Sequence, residues 1–215
     1  MERIEAIAVC GGGIQRSPTM QAVLNFEAAN RGIQERFLVT SAGIRADAML
    51  KNSPFVPSMQ KIMEAAMHYG IVQVHERSEV RYDLDHIARP YGRLYCLLLP
   101  LFKTYSREVI DKLVGFRNDA LIDARIPESL LPDQLVQYDW QNNASIVLPV
   151  DMVTKQKISS TQEPGGLLVM YGDLVGKAGL DDDVTGGFEE AKRQVDYFMD
   201  TRVEALDKIL EIAAP

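Results

Sequence analysis

At 215 residues, 47% of them apolar and 25% charged, the chain is long enough for one large globular domain or for a domain carrying an insertion. A net charge of -7 excludes a broad nucleic-acid or anionic-membrane footprint, which needs clustered Lys and Arg, so any phosphate site must be local. No stretch approaches the ~20 apolar residues of a membrane span, and two cysteines without paired Cys or His spacings give neither a disulfide framework nor a zinc site. The opening residues read as a strand rather than a signal peptide. The expectation is a cytoplasmic protein in a reducing setting, with no metal, no cofactor and no nucleic-acid or membrane partner.

Residues 4–9 form a buried-type strand that runs into Gly11, Gly12 and Gly13. Ser17 and Pro18 then mark a helix start, Ser as the cap and Pro at the first helical position, and the helix runs to about Asn30 with Gly32 as its C-terminal stop. Residues 37–42 form a second strand. Strand, helix and strand in this order imply a parallel pair joined by a right-handed crossover, the opening of an α/β sheet. Beyond it, the pattern predicts a helix over 57–69, a buried strand over 94–99 and a helix over 104–113. The stretch 116–179 has strand-like runs at 146–150 and 167–171 and is taken as an elaboration of the same domain. A last amphipathic helix spans 188–212, with Phe188, Ala191, Val195, Phe198, Val203, Leu206 and Leu210 on its apolar face.

The chemistry concentrates between the first strand and the first helix. Cys10 and Arg16 flank the run Gly11, Gly12, Gly13, Ile14 and Gln15, with Ser17 immediately after. Successive backbone N–H groups on such a turn form a concave nest for a phosphate dianion, the helix N-terminus adds partial positive charge, and a guanidinium grips two oxygens at once. The same field favours the thiolate form of a cysteine, the form that attacks. A structural reading stands beside this one, because a free cysteine at a strand end is often a small buried apolar residue. Cys96, in an apolar run with Phe102 in the place of the arginine, is read as core. A dinucleotide loop is disfavoured, since Arg16 stands where the third glycine belongs and no acidic residue closes the second strand.

Cys10, Arg16-Ser17-Pro18 and then Ser41-Ala42-Gly43 follow the order and spacing that open the low-molecular-weight protein tyrosine phosphatase family, which the chain resembles over residues 4–45, more loosely over 57–115, and again near its C-terminus. The resemblance implies a three-layer α/β fold: a mainly four-stranded parallel sheet with helices on both faces and the phosphate loop after the first strand. It implies a phosphomonoester hydrolase that works through a phosphocysteine on Cys10, with a phosphorylated protein or a small phosphomonoester as substrate. Asp182, between Asp181 and Asp183, takes the general-acid position, and His75 and Ser41 the loop-supporting ones. The chain as a whole, 1–215, is then one such domain with an insertion at about 116–179, a possible substrate-selecting cap.

Several positions depart from the family pattern. Gly13 replaces a loop asparagine, Gln15 a second loop cysteine, Asp183 a proline, and Val184 and Thr185 aromatic residues that would line the entrance. An arsenate reductase and a non-catalytic phosphate- or phosphopeptide-binding module are the alternative readings.

Overall fold

The computed structural model describes residues 3–47, 107–132, 135–141, 143–161, 165–176 and 188–214. Chain contacts group Met1–Asp47 with Glu108–Pro215 as one unit and Ala48–Arg107 as another. The elements in chain order are β1 (Ile4–Cys10), α1 (Arg16–Asn30), β2 (Phe37–Gly43), α2 (Arg107–Asp123), a single 3-10 turn at Glu128–Leu130, β3 (Ile146–Pro149), α3 (Met152–Thr161), β4 (Leu167–Leu168), the one-turn α4 (Tyr171–Leu174) and α5 (Phe188–Ile212). The helix expected over 57–69 and the strand over 94–99 lie outside the described residues.

The four described strands are all parallel, in the order β2-β1-β3-β4. β1 is therefore interior, which accounts for its nearly unbroken apolar sequence. Alternate residues serve opposite faces. Ala6, Ala8 and Cys10 join Met20, Val23 and Leu24 of α1 and Phe198 and Leu206 of α5 in one core. On the other face, Val9 meets Val147, Tyr138 and Ile158 of α3. Helices thus cover both faces of the sheet, as the α/β reading requires. Among the described residues no helix is long and apolar enough to cross a membrane.

The stretch 116–179, read as an elaboration of the domain, contains β3 and β4, two of the four described sheet strands. The helix expected over 104–113 continues to Asp123. Gly115 does not stop it, because Ala120 and Leu121 beyond it are fully buried, and their packing outweighs the cost of one helical glycine.

Helix ends follow backbone geometry. α1 stops at Gly32, whose φ of +67° lets its N–H donate to the Ala29 carbonyl and that of Ile33 to the Ala28 carbonyl, a Schellman closure. α2 ends in the same way with Arg125 at φ 63° in the glycine's place. The last helix has the bounds read from sequence, with one change of register. Its buried stripe is Ala191, Val195, Phe198, Ala205, Leu206 and Ile209, and Val203 faces outward, since a 3.6-residue period carries that position off the stripe. Glu27 of α1, buried, accepts from Arg31 Nε at 2.8 Å and from Arg202 Nε of α5 at 3.0 Å, so a doubly paired carboxylate ties the two helices together.

The end of β2 sets the shape of the loop that follows β1. Gly43 pairs in register with Cys10. A Cβ on Gly43 would lie 2.4 Å from both the Gly12 carbonyl carbon and the Gly13 nitrogen, and one on Gly13 would lie 2.9 Å from the Gly43 nitrogen. Gly13 also has φ +70°, a region that side chains disfavour. The two backbones touch with nothing between them.

Gly43→Ala is expected to lower stability by about 3 kcal/mol, because rigid backbone must move to admit the methyl group. Gly115→Ala, at a helical site with no atom within 4 Å of the added carbon, is expected to raise it by roughly 0.5–1 kcal/mol. Urea unfolding of the two variants checks both signs, and an undisturbed Gly43→Ala protein would contradict the close packing.

Candidate functional site

β1 delivers Cys10 to the C-terminal edge of the sheet, and residues 11–15 turn there into α1. The Cys10 sulfur is buried and accepts the Gly13 N–H at 3.2 Å. Ser17 Oγ lies 3.1 Å from the same sulfur and donates to the Ala42 carbonyl at 3.0 Å. A thiol can donate to this hydroxyl while the hydroxyl donates to Ala42. A thiolate can instead draw the hydroxyl proton toward itself, so one rotation serves both forms of the sulfur.

Ser17 was expected to cap α1. The helix begins one residue earlier, at Arg16, with Gln15 at the cap position and no side-chain cap. The hydroxyl is unavailable for capping because it is engaged with Cys10 and Ala42. The first-turn amides are therefore left for something else. Among the described residues the N–H groups of Gly11, Gly12, Ile14 and Gln15 donate to no protein acceptor, although Ile14 and Gln15 are only 6% and 5% exposed. Buried amides without acceptors are costly unless a ligand fills the role, and at a helix N-terminus the matching ligand is an anion.

Arg16 stands at the first helical position with Nη1 2.9 Å from Asp151 Oδ2. Asp151 lies two residues past the end of β3. Its other oxygen accepts the Thr154 N–H at 2.6 Å and so caps α3. One carboxylate thereby fixes both the start of α3 and the heading of Arg16. A second arginine holds the loop from behind. Arg117 of α2, only 2% exposed, donates from Nη1 to the Ile14 carbonyl at 2.9 Å and from Nη2 to the Pro132 carbonyl at 2.6 Å. Both Nε and Nη2 also reach Asn118 Oδ1.

The structure therefore brings Cys10, Gly11, Gly12, Gly13, Ile14, Gln15, Arg16 and Ser17 together on one turn. Ser41 lies in β2 opposite Ala8, buried, and the hydroxyl that reaches the Cys10 sulfur is that of Ser17. His75, Asp181, Asp182 and Asp183 lie outside the described residues. Sequence reasoning missed Asp151 and Arg117. Asp151 carried a legible signal as a cap, an acidic residue after an apolar run and three positions before the residue whose amide it takes. Nothing local in the sequence pointed either residue at the loop.

No protein-family profile matches the chain, and no curated protein does. Solved structures do match over nearly the full length. A protein tyrosine phosphatase from Entamoeba histolytica is 12% identical, covers 98% of this chain and 99% of its own, and gives a TM-score of 0.58. Vibrio vulnificus Wzb, in complex with benzylphosphonate, is 12% identical over 96% of this chain and 99% of its own at a TM-score of 0.56. A low-molecular-weight protein tyrosine phosphatase from Bacillus subtilis is 16% identical over 98% and 99% at 0.55. Sheet order, the loop after β1 and these likenesses agree: the chain has the fold of the low-molecular-weight protein tyrosine phosphatases.

Proposed function

We propose that the chain is a cysteine-dependent phosphomonoester hydrolase, acting on a phosphorylated protein or a small phosphomonoester. The observation that carries this reading is the set of unpaired loop amides around the Cys10 sulfur, closed at one end by Arg16. A phosphate dianion supplies the acceptors those amides lack. The solved structures of the same fold include tyrosine phosphatases, and one holds a phosphonate, which supports the same ligand class. Neither arsenate reduction nor passive phosphate binding has an observation of its own in the structure.

In the proposed reaction the loop amides and Arg16 hold the phosphoryl oxygens while the Cys10 thiolate attacks phosphorus. An S–P bond forms as the P–O bond to the leaving group breaks. The departing oxygen takes a proton from Asp182, which then acts as base on the water that cleaves the phosphocysteine. Inorganic phosphate and the thiolate are released. Ser17 donates to the sulfur as negative charge returns to it, lowering the barrier to the second step. Asp151 keeps Arg16 oriented throughout. The nucleophile must be a reduced thiol, and Cys10 is free, so the reading carries with it a cytoplasmic setting and no need of metal or cofactor.

Cys10→Ser is expected to abolish hydrolysis of p-nitrophenyl phosphate while keeping phosphate affinity within a few-fold, as measured by calorimetric titration. Turnover retained in that variant would remove the covalent mechanism, and absence of phosphate binding in the wild type would remove the reading altogether.

Asp151→Asn retains an oxygen for the α3 cap but loses the charge that pairs with Arg16. It should cut kcat/KM about tenfold, equivalent to ~1.4 kcal/mol, with little change in the unfolding midpoint. Unchanged kinetics would show that Arg16 is oriented by something else. For the general acid, Asp182→Asn should slow alkyl phosphates far more than p-nitrophenyl phosphate, whose leaving group scarcely needs a proton. The same leaving-group dependence appearing in Asp181→Asn or Asp183→Asn instead would move the assignment by one residue.

A further inference from the structure

The backbone that leaves β2 stays fastened to the rim of the loop. The Ile44 N–H donates to the Cys10 carbonyl and the Arg45 N–H to the Gly11 carbonyl, each at 3.0 Å. Gln137 grips the same segment from its far side, donating from Nε2 to the Ile44 carbonyl at 3.1 Å and accepting the Asp47 N–H at 2.9 Å. Residue 45 is thus held in place through its own backbone and its neighbours', and its freedom is confined to the side chain.

That side chain lies over the residue next to the nucleophile. A Cβ placed on Gly11 would be 3.4 Å from Arg45 Nη2, so the guanidinium occupies space that a side chain at position 11 would otherwise fill. Cys10 and Gly11 have Cα atoms only ~3.8 Å apart, which sets the guanidinium beside the mouth of the phosphate loop. Arg45 is exposed, and among the described residues it makes no ion pair. Arg16, by contrast, is already committed to Asp151. The loop and its rim therefore present two guanidinium groups with different tasks.

We propose that Arg45 forms a second anion subsite, which selects phosphomonoesters bearing another oxyanion, a carboxylate or a second phosphate, a few bonds from the ester oxygen. The proposal rests on the phosphatase reading of the loop and names the substrate class that loop takes. A chain of net charge -7 repels a multiply anionic ligand everywhere except where positive charge is concentrated. The loop amides and Arg16 account for the reacting phosphate. A further anionic group needs a donor of its own, and the planar fork of Arg45 matches either a carboxylate or a phosphate. Gly11, having no side chain, puts none between that fork and the loop.

The test uses the full chain carrying Cys10→Ser, so that binding is read without turnover, with two matched pairs of probes in calorimetric titration. One pair is phosphoglycolate and ethyl phosphate. The other is propane-1,3-diol bisphosphate and propyl phosphate. The doubly functional member of at least one pair should bind about tenfold more tightly at low ionic strength, and the pair showing the larger ratio identifies the second oxyanion. Adding Arg45→Gln should bring that ratio to about one, and Arg45→Lys should restore part of it. Equal affinities within both pairs, or a preference that survives Arg45→Gln, overturn the subsite while leaving the phosphatase reading intact. Failure to bind any of the four overturns both. Hydrolysis of ethyl phosphate by the unaltered chain tests the phosphatase reading separately.

Discussion

The site depends on one close approach of backbone to backbone. Residues 11–13 and 43–45 meet with no side chain between them, because Gly13 and Gly43 each leave the other room and Gly13 alone can hold the left-handed turn required there. From this contact the Ile44 and Arg45 amides reach the carbonyls of Cys10 and Gly11, and the Gly13 amide turns back to the sulfur. Were the loop lifted by even a methyl group, these bonds would lengthen together. The three consecutive glycines after β1 and the single one ending β2 are parts of one packing solution.

Charge is distributed around that contact in a way that suits a local anion on an acidic protein. Arg16 and Arg117 approach the loop from opposite elements, α1 and α2, and each is fixed by acceptors of its own, Asp151 for the first and the Ile14 and Pro132 carbonyls for the second. Fixed dipoles and fixed cations need not reorganise when an anion arrives, and this is the sense in which such a loop is prepared for a charged ligand. The Glu27 pairing with Arg31 and Arg202 does related work at a distance. It holds α1 against α5, and so holds the helix whose N-terminus the anion would face.

Much of this was legible in the sequence, and the part that was not has a common cause. Cys10 to Ser17 could be read directly because the loop is contiguous, with its glycines, its arginine and its helix start all within one turn of chain. The final helix was legible because its apolar period persists for seven turns, long enough that misplacing Val203 did not obscure the element. β3 and β4, of four and two residues, fall on the strand-like runs read at 146–150 and 167–171, but runs so short carry no sign of which strand they pair with, and so the stretch that supplies two of the four described strands was read as an elaboration. α2 was read only as far as residue 113 because burial of Ala120 and Leu121, which sustains the helix past Gly115, is a tertiary fact. Asp151, Arg117 and Arg45 reach the loop through tertiary contacts, so no local sequence pattern ties them to it.

Position 13 shows how the fold compensates for a local loss. Where the family that the loop sequence resembles carries an asparagine, this chain has a glycine, which supplies the conformation without the side-chain hydrogen bonds. Arg117 braces the loop from outside instead, donating to the carbonyl of the very next residue, Ile14, and also to the Pro132 carbonyl and Asn118 Oδ1. A buried guanidinium differs from an amide in one respect that matters: it carries full charge in a region of low effective dielectric, so it strengthens the positive potential of the loop as well as its geometry. The exchange also moves control of the loop into α2. An asparagine within the loop answers only to the loop, whereas Arg117 transmits to Ile14 any shift of the helix that bears it. The shape of the loop after β1 is consequently tied to the packing of Ala120 and Leu121, which stand on the same helix and share the core with Cys10.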